Sequence, residues 1–223
     1  MLDLDELYFN SENFRSLLNR IGTEIEQEHI AERAGDPVTA SKHGLKVWSH
    51  ILELMKMSEA ESIYELDEGN ATIYDLLYWA AAFADELHNA CIKDKSFEKH
   101  RQSFCESYVV MHSGMLDRKV RNLGNIRNSL AECYFNMGKS EKADSLYRDW
   151  LGVEPDWGSG WIGWSDLYWL WNPGVEKDFN KAGKILEEGL KVPDVRDREH
   201  IEERLADLKK EKKKHIRQTK QSR

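Results

Sequence analysis

The sequence predicts an all-α protein. Apolar residues recur at the 3.6-residue helical period in one segment after another, which is the primary signal for amphipathic helices. Val and Thr are few and no run reads convincingly as a strand, so a sheet protein is disfavoured. Only four prolines interrupt the chain, and each falls between periodic segments.

At 223 residues, 40% hydrophobic and 10% aromatic, the chain can build a sizeable core as one large domain or two small ones. The net charge of −8 is unevenly placed. Residues 209–223 hold six lysines and two arginines against one glutamate, a local +7 that leaves the remainder at −15. Asp3, Asp5 and Glu6 replace the basic-then-apolar pattern of a secretory signal, and no stretch approaches 18 apolar residues. Cys91, Cys105 and Cys133 are widely spaced on helical segments, as buried thiols in a reducing compartment would be. The expected location is cytoplasmic.

Leu4, Leu7, Tyr8 and Phe9 form a partly apolar lead-in, and Ser11 is placed to cap a helix carrying Phe14, Leu17, Leu18, Ile21 and Ile25. Ala34-Gly35-Asp36-Pro37 ends it. The next helix reaches Met57 with Leu45, Trp48, Ile51, Leu52 and Met55 on one face. Ser58-Glu59-Ala60-Glu61 reads as a capping box opening a short helix that ends near Gly69-Asn70. From Thr72 to Cys91 apolar residues, Ile73 among them, lie almost all round, which marks a central helix. Phe97, Phe104, Tyr108 and Met111 carry the following one to Ser113-Gly114. A helix from about Leu116, kinked at Gly124, leads into the second half. Asp194 or Asp197 caps a last helix with Ile201, Leu205 and Leu208, whose periodicity fades into a basic tail expected to fray.

Between Gly124 and Pro193 a pattern occurs twice. With Gly124 as the start of a 34-residue unit, Leu130, Ala131, Tyr134, Gly138, Ala143, Tyr147, Trp150 and Pro155 take its packing and turn positions. From Gly158, Trp161, Trp164, Ser165, Tyr168, Ala182, Leu186 and Pro193 repeat it, with Asn172-Pro173-Gly174-Val175-Glu176 lengthening the turn. These residues resemble the tetratricopeptide (TPR) helix-turn-helix. Small residues at Ala131, Ala143, Ser165 and Ala182 would let antiparallel helices approach, and the large ones would fill the space between them. Arg127 departs from the pattern, standing where an aromatic is usual. Gly189 stands where Ala would. The stretch from Glu154 to Asp166 further resembles bacterial TPR-like proteins that often carry a zinc-binding SEC-C tail. No Cys follows Cys133, so that tail and its metal are not carried over.

The resemblance implies a TPR-like α-solenoid, a right-handed superhelix of about ten antiparallel helices. It would comprise a divergent helical lobe over 1–120, the repeats plus a capping helix over 121–208, and the basic tail over 209–223. It also implies a protein-binding scaffold with no catalytic residue and no cofactor. The family's groove positions fall on Asn125, Asn128, Glu132, Phe135 and Asn136, then on Ser159, Ile162, Asp166, Trp169 and Leu170. Asn amides there would bond an extended peptide backbone as donor and acceptor, and Phe135 and Trp169 would serve as apolar anchors. Glu132 and Asp166 would repel the acidic C-terminus held by the family's carboxylate clamp, so a neutral or basic peptide is the expected partner. Trp157, Trp169 and Trp171 lie off the packing register and are candidates for an exposed aromatic cluster; packing against the 172–176 insertion is the competing reading.

Two alternatives stay open. The basic tail could make the chain a nucleic-acid-associated adaptor, although an acidic body argues against nucleic acid elsewhere on the surface. His88, Cys91, Cys105 and His112 across one helical hairpin could hold zinc, but their spacing lacks the tight pairs of known sites. His43 and His50 share a helix with Glu53 and read as an ordinary surface pair. No phosphate loop, nucleophile elbow or His-Glu-x-x-His motif is present.

Overall fold

The computed structural model describes residues 12–69, 73–120, 122–170 and 176–221. Among these residues there are ten α-helices, one 3₁₀ turn and no strand. The chain divides into two units, Met1–Ile126 and Arg127–Arg223, with the division falling inside one helix.

The first unit opens with helices α1 (Glu12–Arg33) and α2 (Pro37–Ser58), which pack as a hairpin. Gly35 takes φ 71° at the turn, Asp36 accepts a bond from the Thr39 amide, and Pro37 occupies the first turn, where its missing N–H costs nothing. Ser11, the expected cap of α1, and the lead-in before it lie outside the described residues. Ser58 does not open the next helix. It is the last residue of α2, its hydroxyl bonds back to Leu54 O at 2.9 Å, and Glu59 ends the helix at φ 55°. The capping box sits four residues later. The Ser62 hydroxyl accepts the Glu65 amide, and the Glu65 carboxylate accepts the Glu61 amide at 2.8 Å, opening α3 (Ile63–Glu68).

Helix α4 (Leu76–Lys93) is capped by Asp75. It therefore starts after Ile73, which is almost wholly exposed instead of joining the core. Leu76, Ala80, Phe83, Ala84, Leu87 and Ala90 are buried, while Tyr78 and Ile92 face outward. After a 3₁₀ turn (Lys95–Phe97) comes α5 (Glu98–Met111), and Gly114 takes φ 83° in the loop beyond. An aromatic cluster holds these helices together. Phe104 meets Trp48 edge-on at 4.8 Å and Phe83 at 4.9 Å, and Phe83 stacks on Trp79 at 5.0 Å.

Residues 116–120 are not helical. Asn122 takes φ 63°, and α6 (Leu123–Asn136) begins there with no kink at Gly124, whose amide donates to Asp117 at 2.7 Å.

The second unit continues α6 into α7 (Ser140–Val153), α8 (Gly158–Asp166), α9 (Phe179–Lys191) and α10 (Arg198–Gln221). Gly138 at φ 75° makes the first turn. Helix α8 packs on α7, and α9 packs on both α8 and α10. Of the residues at the twice-occurring packing positions, Leu130, Ala131, Ala143, Tyr147, Ser165, Ala182 and Leu186 are buried, whereas Tyr134, Trp150, Trp161, Trp164 and Tyr168 are half-buried. Ile201, Leu205 and Leu208 of α10 join the cluster of Trp169, Phe179 and Leu186. The tail does not fray at residue 208. Helix α10 runs on to Gln221, supported by the i,i+3 pairs Lys210–Asp207 and Lys214–Glu211 and by Lys212, which donates to Asn180 at 2.6 Å.

Candidate functional site

The residues read as groove-lining separate into three groups. On the α6 segment of the second unit, Asn128, Glu132 and Asn136 stand one turn apart along a single face. Asn128 and Glu132 are half-buried and Asn136 is exposed. Asn125, also exposed, belongs to the first unit. Ile162 is half-buried against the α9–α10 cluster.

The third group is core. Phe135 packs edge-on to Tyr168 at 5.1 Å, and Trp169 lies 4% exposed among Phe179, Leu186 and Leu205. Neither presents an apolar anchor. Trp157, 1% exposed, likewise packs inward against Tyr147 and Trp150. Trp171 and residues 172–175 of the insertion lie outside the described residues. The short α8 explains the inward turn of Trp169. The helix ends at Asp166, and turns return residues 167–170 toward the core, where Asp178 N–H donates to Tyr168 O at 2.9 Å.

The Tyr147 hydroxyl donates to one of the polar candidates, Asn128 Oδ1, at 3.0 Å. Burial first, then the nearby carboxylates of Asp166 and Glu132, push its pKa well above the usual value, so it stays a proton donor. Gly163 of α8 lets this happen. A Cβ there would lie 2.6 Å from Asn128 Oδ1 and 2.8 Å from the Tyr147 hydroxyl. Tyr147 is held from the other side by Trp164, stacked at 5.8 Å with 9° between planes. Asp166 is buried and meets the partly exposed Arg204 of α10 at 3.6 Å. The result is an acidic, hydrogen-bonding niche beside the Asn128–Glu132–Asn136 stripe, already answered on one side by a guanidinium.

Two buried polar centres behind this face escape a sequence reading. Asp144 of α7 accepts from Trp164 Nε1, the Tyr168 hydroxyl and Lys181 Nζ, each at 2.6 Å. Burial works to raise its pKa, but the Lys181, Tyr168 and Trp164 donors prevail and hold it below the ordinary carboxylate value. Arg127, the departure from the repeat pattern, lies over the rings of Trp150 and Trp157 at 5.7 Å each. Its charge is met by Glu154, which also takes Arg196 at 2.8 Å.

The histidine and cysteine candidates do not assemble. His43 pairs with Glu24 at 2.6 Å and His50 lies 3.8 Å from Glu53. His112 is buried with Nδ1 2.8 Å from Tyr108 O, and Cys91 and Cys105 are buried thiols. Among the described residues no three His, Cys, Asp or Glu side chains are grouped to hold a metal ion, and no helix is long and apolar enough to cross a membrane. Compared with protein-family models, with curated proteins and with solved structures, the chain gives no match.

Proposed function

We propose that the chain is a TPR-like, α-solenoid interaction module that binds a neutral or basic peptide segment along α6, acting as a cytoplasmic scaffold rather than as an enzyme. The observation that supports this reading is the α6 face of half-buried Asn128 and Glu132 and exposed Asn136, in which Asn128 is held by the Tyr147 hydroxyl while the nearby carboxylates of Glu132 and Asp166 supply negative charge. The Asn amides at Asn128 and Asn136 would bond a peptide backbone, and Glu132 would favour a cationic side chain over an acidic terminus. Burial of the small residues at Ala131, Ala143, Ser165 and Ala182 accords with TPR-type packing of the helix pairs.

The test is an anisotropy titration of labelled Lys- and Arg-rich peptides against acidic-tailed peptides, for the wild type and for Glu132→Lys. Preferential binding of the basic set, lost in the variant, supports the reading. Equal binding of acidic tails, or no loss in a variant with an unchanged circular dichroism spectrum, overturns it.

A further inference from the structure

The outer half of α10 is a second surface, independent of the α6 face. Helix α10 spans 24 residues, about 36 Å at 1.5 Å per residue. Its first half is fixed in the core through Ile201, Leu205 and Leu208. The last contacts with α9 are Lys212 to Asn180 and His215 against Phe179, the first residue of α9, at 5.4 Å. Every residue from Lys213 to Thr219 is exposed. The protein thus presents a single helix held firmly at one end.

Its charges are sorted. Lys210 and Lys214 are answered by Asp207 and Glu211. Lys209, Lys213 and Arg217 follow at i, i+4 and i+8 on one side, and no described residue pairs with them. Successive cations on such a stripe are about 6 Å apart along the axis. Ile216 is the one large apolar side chain exposed on this half, too little for the apolar face that an interfacial membrane helix buries.

We propose that this half of α10 docks on duplex DNA, its unpaired cations contacting phosphates without reading sequence. A lone helix about 10–12 Å across fits the major groove of B-form DNA, which is about 12 Å wide. The major groove of A-form RNA is too narrow to admit it. The −15 carried by the rest of the chain confines the contact to the helix end, so few phosphates are engaged and binding is salt-labile.

The experiment is an anisotropy titration of the full chain with a short fluorescein-labelled DNA duplex at several salt concentrations. Three phosphate contacts give a slope of log K against log salt of about −2.7, roughly a 40-fold loss for a fourfold rise in salt. In Lys209→Gln/Lys213→Gln/Arg217→Gln, binding falls at least tenfold and the slope approaches zero, with helicity unchanged by circular dichroism. The charge-matched control Lys56→Gln/Lys139→Gln/Lys184→Gln keeps both affinity and slope. The proposal is overturned by absence of binding at low salt, by equal loss in the control, or by equal affinity for polyglutamate, duplex RNA or phosphatidylserine vesicles. Should the triple variant lose helicity, the wild-type slope and the competitor series still decide.

Discussion

Arg127 and Glu154 form an ion pair at 3.5 Å with side chains only 8% and 1% exposed, and Arg127 lies over the Trp150 and Trp157 rings. Such a pair is retained at a desolvation cost and is most damaging when half removed. Glu154→Ala leaves Arg127 buried without this carboxylate, whereas Arg196, a third exposed, can turn to solvent. The expected loss is about 3–5 kcal/mol of unfolding free energy in urea. Arg127→Met/Glu154→Leu should lose less than the single variant, because no charge is stranded.

Asp144 ties α7 to α8 through Trp164 and to α9 through Lys181. Asp144→Ala strands three donors at once, and each buried unmet donor costs about 1–3 kcal/mol. Water reaching the half-buried Lys181 recovers part of this, so a net loss of about 3 kcal/mol is expected. A red-shifted Trp emission from an unpaired Trp164 would accompany it. Because the folded-state pKa is depressed, this stabilisation is present above the unfolded value of 3.8 and is lost as pH falls through the lower folded value. Acid titration of wild type against Asp144→Asn checks the sign.

The parts of the fold that were legible are those set by local spacing. Ala131, Ala143, Ser165 and Ala182 could be assigned to packing because small residues recur at fixed offsets, and all four are buried. The parts that were not legible depend on partners distant in sequence. Asp144 reads as a solvated residue of an amphipathic helix until Lys181, 37 positions on, reaches it. Ser58 and Ser62 each precede a glutamate by three residues, and the choice between them rests on the left-handed turn at Glu59, which spacing does not reveal. Spacing alone, which carries no sign of where the helix stops, puts Trp169 on the groove face. The early end of α8 at Asp166 rotates it into the core.

Glu28 is buried among α1, α2 and α4 and accepts the Trp79 indole N–H at 2.8 Å. Burial raises its pKa to about 7 against the opposing Trp79 bond, and Glu32 and Glu86 add to the rise. A folded pKa above the unfolded value of 4.5 means full stabilisation below 4.5 and progressive loss as pH rises to about 7. At 1.36 kcal/mol per unit, that loss is about 3 kcal/mol. Glu28→Gln keeps an oxygen for Trp79 and removes the titration. Its stability relative to wild type should rise by about that amount between pH 4.5 and 8, read as the difference in urea midpoints. A constant difference across that range would refute the assignment.

Gly163 and Gly152 separate packing from helix propensity. Both are helical glycines, and alanine gains about 0.5–1 kcal/mol in a helix interior. A Cβ at Gly152 meets nothing within 4 Å, so Gly152→Ala should gain up to that amount. A Cβ at Gly163 would collide with Asn128 Oδ1 and the Tyr147 hydroxyl, groups that are bonded to each other and enclosed by Trp164. Neither group is the loose end of a long side chain, so α8 must shift away from α6. Overpacking of this kind costs about 1–3 kcal/mol, which outweighs the propensity gain. Thermal unfolding of the two variants should therefore move in opposite directions. The proposed peptide niche depends on the same close approach, so Gly163→Ala should also weaken binding of basic peptides while Gly152→Ala leaves it unchanged. A stabilised Gly163→Ala would mean that α8 does not approach Tyr147 this closely, and the proposed niche would fail with it.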